Sequence, residues 1–107
     1  MKWDDRDAND KRVICQGRWC DIRSISKVFP NCAGVYLFAD ESLEVKYVGC
    51  AKELGLQNAA QDSVYKEENY GAKQALWLAT DNREDAQNLR RQLVKKYLTR
   101  KKLKTES

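Results

Sequence analysis

The chain has 107 residues, enough for one domain with a modest core and too few for two. Its hydrophobic content of 42% is ordinary for a globular protein, and no apolar run approaches the ~20 residues of a membrane span. The N-terminus has no apolar signal-peptide region, so we expect an intracellular, cytoplasmic protein without a membrane partner. The net charge is only +4, but residues 90–104 carry eight basic residues and no acidic one. The rest of the chain is therefore net negative.

Residues 1–11 are polar and mixed in charge, with Trp3 as their one large apolar side chain. We expect a flexible segment there, followed by a single domain at residues 12–98 and a basic flexible tail at residues 99–107. Residues 12–15 suit a short strand. Ser24 and Pro30 bracket a short helix, with Ser24 as its N-cap and Pro30 as its stop.

Two short apolar runs, residues 34–38 and 45–49, flank a polar connector. β-branched and aromatic side chains fill both runs, as strands prefer. The connector between them is short and acidic, which predicts an antiparallel hairpin. Each run contains a tyrosine in a tripeptide with glycine, Gly34-Val35-Tyr36 in the first and Tyr47-Val48-Gly49 in the second.

This pair of tripeptides resembles the signature of the GIY-YIG nuclease superfamily. The flanking sequence resembles most closely the N-terminal nuclease domain of the excinuclease type, and it matches at Pro30, Leu37, Phe38, Ala51, Lys52 and Leu54. The resemblance implies a small α+β domain with a central antiparallel hairpin, and a short helix leading into that hairpin.

The second half of the chain predicts two long helices around a third strand. The first helix is expected over residues 51–65, although Gly55 weakens it by up to about 1 kcal/mol relative to alanine. Residues 72–80 are apolar on both faces, which predicts a central strand. Asp81 with Glu84 three residues later resembles a capping box and predicts the start of the last helix. The last helix has a core-facing stripe at Ala86, Leu89, Leu93, Tyr97 and Leu98. The order predicts an α+β fold in which helices flank a hairpin and a third strand.

In the resembled family two tyrosines lie beside the scissile phosphate, an arginine stabilises the phosphate charge, and a glutamate holds one divalent metal. Tyr36 and Tyr47 occupy the tyrosine positions. The arginine position, ten residues after Tyr47, falls on Gln57. The glutamate position, three residues before Leu93, falls on Arg90. Phosphodiester hydrolysis needs a carboxylate for the metal and a positioned cation for the phosphate, and both are replaced.

A shifted alignment does not restore these groups. Residues 24–82 contain no arginine, and Glu106 is the one acidic residue after Asp85. The carboxylates that open the last helix come too early and fit a capping role. Arg90 in place of a glutamate would repel Mg²⁺ and attract phosphate. We therefore predict a GIY-YIG fold without the nuclease machinery and without a metal or cofactor; Mg²⁺ or Mn²⁺ would be needed only if activity survived.

The aromatic and cysteine residues also have structural interpretations. Tyr36 and Tyr47 could form a cross-strand pair that supports the sheet, and Trp77 is expected in the core. The chain has no histidine, and the spacing of its four cysteines matches no standard zinc pattern. If Gly34 pairs with Gly49, the thiols of Cys32 and Cys50 would be near neighbours. We expect reduced thiols, with a disulfide or a four-cysteine metal site as alternatives.

The basic helix and tail are the remaining functional signal. Lysine and arginine at this density could bind nucleic-acid phosphates without sequence specificity and with strong salt dependence. A solvated helix face with a disordered tail is the alternative. The candidate nucleic-acid-binding residues are Arg90, Arg91, Lys95, Lys96, Arg100, Lys101 and Lys102.

Three functions stay open, in order of preference. The first is a nucleic-acid binding module that holds DNA or RNA without cutting it, with DNA as the preferred partner. The second is a protein-interaction module or inhibitor that docks on a nucleic-acid enzyme or defence complex. The third is an active metal-dependent endonuclease with substituted residues.

Overall fold

Antiparallel strand pairing organises the structure, a computed structural model that describes residues 1–51 and 55–98. Within these residues five strands form one sheet in the order β1-β5-β3-β4, and β2 pairs with β5 beyond the end of β1. Three α-helices flank the sheet, so the predicted α+β class is confirmed. The strands are β1 (Val13–Gln16), β2 (Cys20–Asp21), β3 (Gly34–Ala39), β4 (Val45–Cys50) and β5 (Gln74–Thr80).

The third predicted strand, β5, is central as expected. It pairs with β1 and β2 on one side and with β3 on the other, all antiparallel. Its side chains alternate between two cores, with Leu76 and Leu78 in one and Ala75 in the other. A strand that is apolar on both faces can bury both only in the middle of a covered sheet.

The predicted hairpin is confirmed as the β3–β4 pair, each strand one residue longer than predicted. Its connector is fixed by Asp40, whose carboxylate accepts hydrogen bonds from the backbone N–H groups of Ser42 and Glu44. The condition considered for the thiols, a pairing of Gly34 with Gly49, is not met, because Gly49 lies opposite Tyr36. A one-residue slip of this register would move every side chain of the slipped strand to the other face of the sheet.

The helices are α1 (Ile25–Val28), α2 (Leu56–Tyr65) and α3 (Arg83–Tyr97). The prediction that the first long helix begins at residue 51 is wrong, because the N–H of Ala51 donates to the carbonyl of Gly34 and so continues the strand ladder. Gly55 is the N-cap of α2, and Lys52 and Leu54 of the resemblance lie outside the described residues.

Two of the predicted helix caps are replaced. Asn82, not Asp81, caps α3 by accepting a hydrogen bond from the N–H of Asp85 at 2.8 Å. Ser24 makes no side-chain cap, because a 3-10 helix over Ile22–Ser24 precedes α1 and is itself capped by the side chain of Asp21.

The helices cover opposite faces of the sheet and create two cores. Helix α3 packs on one face, where the predicted stripe is buried; Ala86, Leu89 and Leu93 are 0% exposed and Tyr97 is 4% exposed. Helices α1 and α2 cover the other face. Its main buried side chains are Ile25, Phe29, Tyr36, Phe38, Leu56 and Ala60.

Residues 1–11, which were expected to be flexible, pack on the α3 side of the domain. Lys2 forms an isolated bridge with Glu44, and a 3-10 helix covers Asp5–Asn9. Ala8 is buried in the α3 core, and Trp3 stacks on Tyr97 with ring centroids 5.5 Å apart. The segment is therefore attached by long-range aromatic and apolar contacts that its polar composition does not reveal. The predicted tail at residues 99–107 lies outside the described residues.

Candidate functional site

Tyr36 and Tyr47 lie on the same face of the hairpin. Tyr36 pairs with Gly49 and Tyr47 with Phe38, so the two tyrosines are diagonal neighbours across β3 and β4. Their ring centroids are 6.1 Å apart with planes inclined at 36°. The expected cross-strand aromatic pair is therefore present.

Gly49 makes room for the Tyr36 ring. A Cβ atom at this position would lie 2.4 Å from Cζ and 2.5 Å from the hydroxyl oxygen of Tyr36. No side chain fits at such distances, so any residue larger than glycine would displace the phenol. The glycine of the second tripeptide thus has a packing reason in this chain, independent of any chemistry.

The Tyr36 hydroxyl is buried and shares a hydrogen bond with the hydroxyl of Ser63 on α2. The Tyr36 residue is 4% exposed, and burial raises the pKa of its phenol well above the ordinary value of 10. The phenol is therefore neutral at physiological pH. Acting as a proton acceptor from water would require its charged form, which this environment disfavours.

Tyr47 lies at the half-buried edge of the same cluster. Burial is the largest cause that raises the pKa of its phenol, and the Glu68 carboxylate raises it further. The guanidinium of Arg90 acts on the Tyr47 phenol in the opposite direction. The exposed phenol Tyr70 packs against Tyr47, with ring centroids 6.0 Å apart. The phenol of Tyr47 is therefore under the influence of one carboxylate and one guanidinium of opposite charge.

Glu68 is a site residue that the sequence analysis missed. It follows α2 and its carboxylate acts electrostatically on both Tyr36 and Tyr47. Two backbone residues with positive φ, Glu67 and Tyr70, turn the chain on either side of it. The local sequence shows a polar loop, but the direction in which that loop returns to the hairpin depends on the helix packing.

Gln57 occupies the position at which the resembled family has its arginine. Its side-chain Nε2 donates to the backbone carbonyls of Ser26 at 2.8 Å and Phe29 at 3.1 Å. Both acceptors belong to the end of α1, where helix carbonyls lack intrahelical partners. The Gln57 amide therefore links α2 to α1.

The four basic residues predicted on α3 have different environments. Arg90 is half-buried, whereas Arg91, Lys95 and Lys96 are exposed. The Arg91 guanidinium donates to the Asn88 side chain at 3.1 Å, and Lys96 donates to the Asp7 carboxylate at 2.8 Å. The tail candidates lie outside the described residues; they are Arg100, Lys101 and Lys102.

The cysteines do not assemble into one site. Cys50 is buried opposite Val35, and Cys32 is exposed. Their closeness was conditional on the pairing of Gly34 with Gly49, which does not occur. The pKa of Cys32 is raised by burial and then by Cys15. All four cysteines are free, and no group of three or more His, Cys, Asp or Glu that could hold a metal occurs among residues 1–51 and 55–98.

Comparison of the chain with protein-family models, with curated proteins and with solved structures finds no match. None of the helices in the described ranges is long and apolar enough to cross a membrane.

Proposed function

We propose that this chain is a catalytically inactive protein of GIY-YIG type that binds nucleic acid, with DNA as the partner, next to Tyr47 and along the basic side of α3. The observation that carries the proposal is the charge at the tyrosine pair. The Arg90 guanidinium, at the position of the family's metal-binding glutamate, acts on the Tyr47 phenol. A cation at this position attracts phosphate and repels a divalent metal.

Two further contacts support binding without cleavage. The Gln57 amide is bonded to α1 carbonyls, so it supplies no charge to a phosphate. The Tyr36 hydroxyl is buried against Ser63 and kept neutral. Hydrolysis would need a positioned cation and an activated water, and these residues serve the packing of the domain.

The exposed side of α3 supplies the rest of the proposed surface. Arg91 and Lys95 are four residues apart, which places them on one side of the helix. Both are exposed, so they can contact phosphates without a desolvated ion pair being broken. Lys96 contributes less, because the Asp7 carboxylate already neutralises it.

Glu68 supports a second candidate, a metal-dependent nuclease with substituted residues. Its carboxylate acts on both tyrosines and could provide one oxygen ligand to Mg²⁺ or Mn²⁺. This candidate ranks below the binding module, because the Glu68 carboxylate also interacts electrostatically with Lys66, and because the Arg90 guanidinium acts on the same Tyr47 phenol and would repel a divalent metal.

The test combines cleavage and mobility-shift assays on labelled double-stranded and single-stranded DNA and RNA. Each reaction contains Mg²⁺, Mn²⁺ or a chelator. We expect a salt-sensitive shift without cleavage, independent of the metal. The combined variant Arg90→Ala, Arg91→Ala, Lys95→Ala should weaken the shift strongly and lower its salt slope, since each lost phosphate contact lowers that slope by ~0.9.

A matched control removes three exposed lysines elsewhere, by Lys11→Ala, Lys27→Ala and Lys73→Ala. It changes the net charge equally, so equal losses in both triple variants would contradict the proposed surface. Metal-dependent cleavage that disappears in Tyr36→Phe and Glu68→Gln would instead favour the nuclease. Absence of both signals would favour the protein-interaction module, which a pull-down would test next. The cytoplasmic location stays a prediction.

A further inference from the structure

A pocket of about 550 Å³ opens between the N-terminal segment and the connection from β1 to β2. It lies on the α3 side of the sheet, because Trp3, Trp19 and Leu76 pack with the core cluster of α3. Tyr36 belongs to the cluster on the other face. The pocket is thus separate from the tyrosine pair, and its volume is within the range of small-molecule sites, ~300–1,000 Å³.

Two tryptophan rings form the apolar walls of this pocket. The ring centroids of Trp3 and Trp19 are 6.2 Å apart, with planes inclined at 79°. Trp3 is held from behind by stacking on Tyr97 and by its backbone N–H, which donates to the carbonyl of Leu43 at 2.9 Å. The orientation of the Trp3 ring is therefore fixed without a ligand.

Trp19 offers carbon atoms to the pocket. Its indole nitrogen is buried and has no hydrogen-bond partner within the described part of the chain. Because the Trp19 residue lines the pocket while its nitrogen is shielded, a ligand meets the apolar part of the ring. Buried Leu76 adds an aliphatic contact. These surfaces suit a flat apolar group that stacks.

The rim of the pocket is polar and carries both hydrogen-bonding types. Asp5 can only accept, Arg18 can only donate, and the amides of Asn9 and Gln16 do both. All four residues are exposed. Aromatic walls with such a rim complement a planar heterocycle whose edge both donates and accepts. Arg18 adds a charge suited to a phosphate.

The neighbouring carboxylates do not oppose an anionic ligand. Asp4 is paired with Arg6 at 2.8 Å, and Asp10 is paired with Arg12 at 2.8 Å. Asp7 is paired with Lys96 of α3, also at 2.8 Å. Asp5 is then the one acidic residue among the described residues that line the pocket. The exocyclic amines of adenine, cytosine and guanine are suitable donors to its carboxylate.

We infer that this pocket binds one unstacked nucleotide, which is supplied either free or by a single strand lying along α3. The inference deepens the proposed function and relies on it for the choice of nucleic acid as the source. Stacking on tryptophan is the general means by which proteins hold unpaired bases. The Lys96–Asp7 pair places the C-terminal end of α3 next to the N-terminal wall of the pocket. A strand bound to the basic helix would therefore pass near the pocket mouth.

The test follows the backbone amides of the ¹⁵N-labelled full chain during titration with AMP, CMP, GMP and UMP, one at a time. We expect saturable shifts at Asn9, Gly17 and Trp19, and no shift at Ser63 on the opposite face. Trp19→Ala should weaken binding about tenfold or more, because a base loses its stacking partner. Asp5→Asn should reduce the preference for AMP, CMP and GMP over UMP.

The Arg18→Ala variant tests the contribution of the phosphate to affinity separately from that of the base. It removes no side chain of the core. It should weaken AMP several-fold and leave adenosine unchanged, whereas Lys27→Ala on the other face should affect neither. A single strand is identified as the source if a single-stranded oligonucleotide binds more tightly than AMP and if adding a duplex shifts no amide of the pocket. AMP binding without oligonucleotide binding would identify the free nucleotide.

Absence of saturable shifts with all four nucleotides, in a chain whose spectrum is folded, would overturn the pocket inference. Equal affinity of the Arg18→Ala chain for AMP would overturn the assignment of Arg18. Neither result would contradict the proposed function if the mobility shift still depends on Arg91 and Lys95. Conversely, the mobility shift could be independent of these two residues while the nucleotides still bind. That outcome would overturn the proposed function and leave the pocket inference standing.

Discussion

The hydroxyl groups of Tyr36 and Ser63 share one buried hydrogen bond, which joins the hairpin to helix α2. The group that the resembled family places beside a phosphate thus contributes to the packing of this domain. Tyr36 also contacts the rings of Phe38 and Tyr47 on the same face. These contacts predict that changes at Tyr36 are measured first as changes in stability.

Tyr36→Phe and Ser63→Ala should each lower the free energy of unfolding by about 1–3 kcal/mol, because each leaves a buried hydroxyl without this partner. The double variant should lose less unfolding free energy than the two single variants lose in sum. Denaturant unfolding of the four chains measures the coupling. A coupling near zero would show that the two hydroxyls do not depend on each other.

The raised pKa of Tyr36 predicts alkaline destabilisation. Burial raises this pKa in the folded chain above the ordinary value of 10, so the neutral phenol favours folding. This contribution is fully present below pH 10 and is lost as the pH rises from 10 toward the folded pKa. Tyr36→Phe should therefore reduce the fall in stability between pH 10 and 12, measured as the urea midpoint. Tyr65→Phe, at a residue 89% exposed, is the matched control and should reproduce the parent curve.

Gly49→Ala should destabilise the fold by about 1–3 kcal/mol or more, because its Cβ would overlap the Tyr36 ring. The effect should largely disappear in a Tyr36→Ala background, where the ring is absent. Thermal unfolding of the single and double variants measures the loss of stability caused by Gly49→Ala in each background. An equal loss in both would mean that the backbone at Gly49, and not the Tyr36 ring, is the constraint.

Lys95 and Lys96 are adjacent and both basic, but their partners predict opposite effects. Lys96→Ala should lower stability by up to about 1 kcal/mol through loss of the Asp7 pair, with little change in nucleic-acid affinity. Lys95→Ala should lower affinity and the salt slope with little change in stability. Mobility shifts over a salt series, together with melting curves, separate the two. The reverse pattern would place the binding surface on the side of Lys96.

Asn82→Ala should cost about 1 kcal/mol of stability, because the N–H of Asp85 loses its acceptor. Asp81→Ala should leave stability almost unchanged, since Asp81 is exposed and is not the N-cap. Chemical unfolding of the two variants side by side makes the comparison. A larger loss at Asp81 would support the cap predicted from the sequence.

The elements that could be predicted are those with regular apolar spacing. The alternation in β5 and the stripe on α3 each indicate a face and a period, and both occur as predicted. The start of α2 could not be predicted, because Ala51 continues a strand ladder through its bond to Gly34. The spacing of apolar residues along the chain does not indicate that Ala51 is bonded to Gly34.

The residues of the two tripeptides could be predicted as part of the candidate site. The residues that act on them from other parts of the chain could not. Tyr36 and Tyr47 follow from the hairpin, but the electrostatic influence of Glu68 on them depends on the turn after α2. The tryptophan pocket depends on Trp3 meeting Tyr97, which is 94 positions away in a chain of 107 residues. Contacts of that range arise from packing and leave no local signal.

Strand β5 pairs with β1, β2 and β3, yet its residues are synthesised after all of them. Before residue 80 is available, β1 and β2 have no sheet partner and β3–β4 is a two-stranded hairpin, which is marginal in water. During synthesis, the first three-quarters of the chain therefore cannot form the complete sheet. Nascent chains halted before Gln74 should be digested readily by protease, whereas those that extend through α3 should resist it.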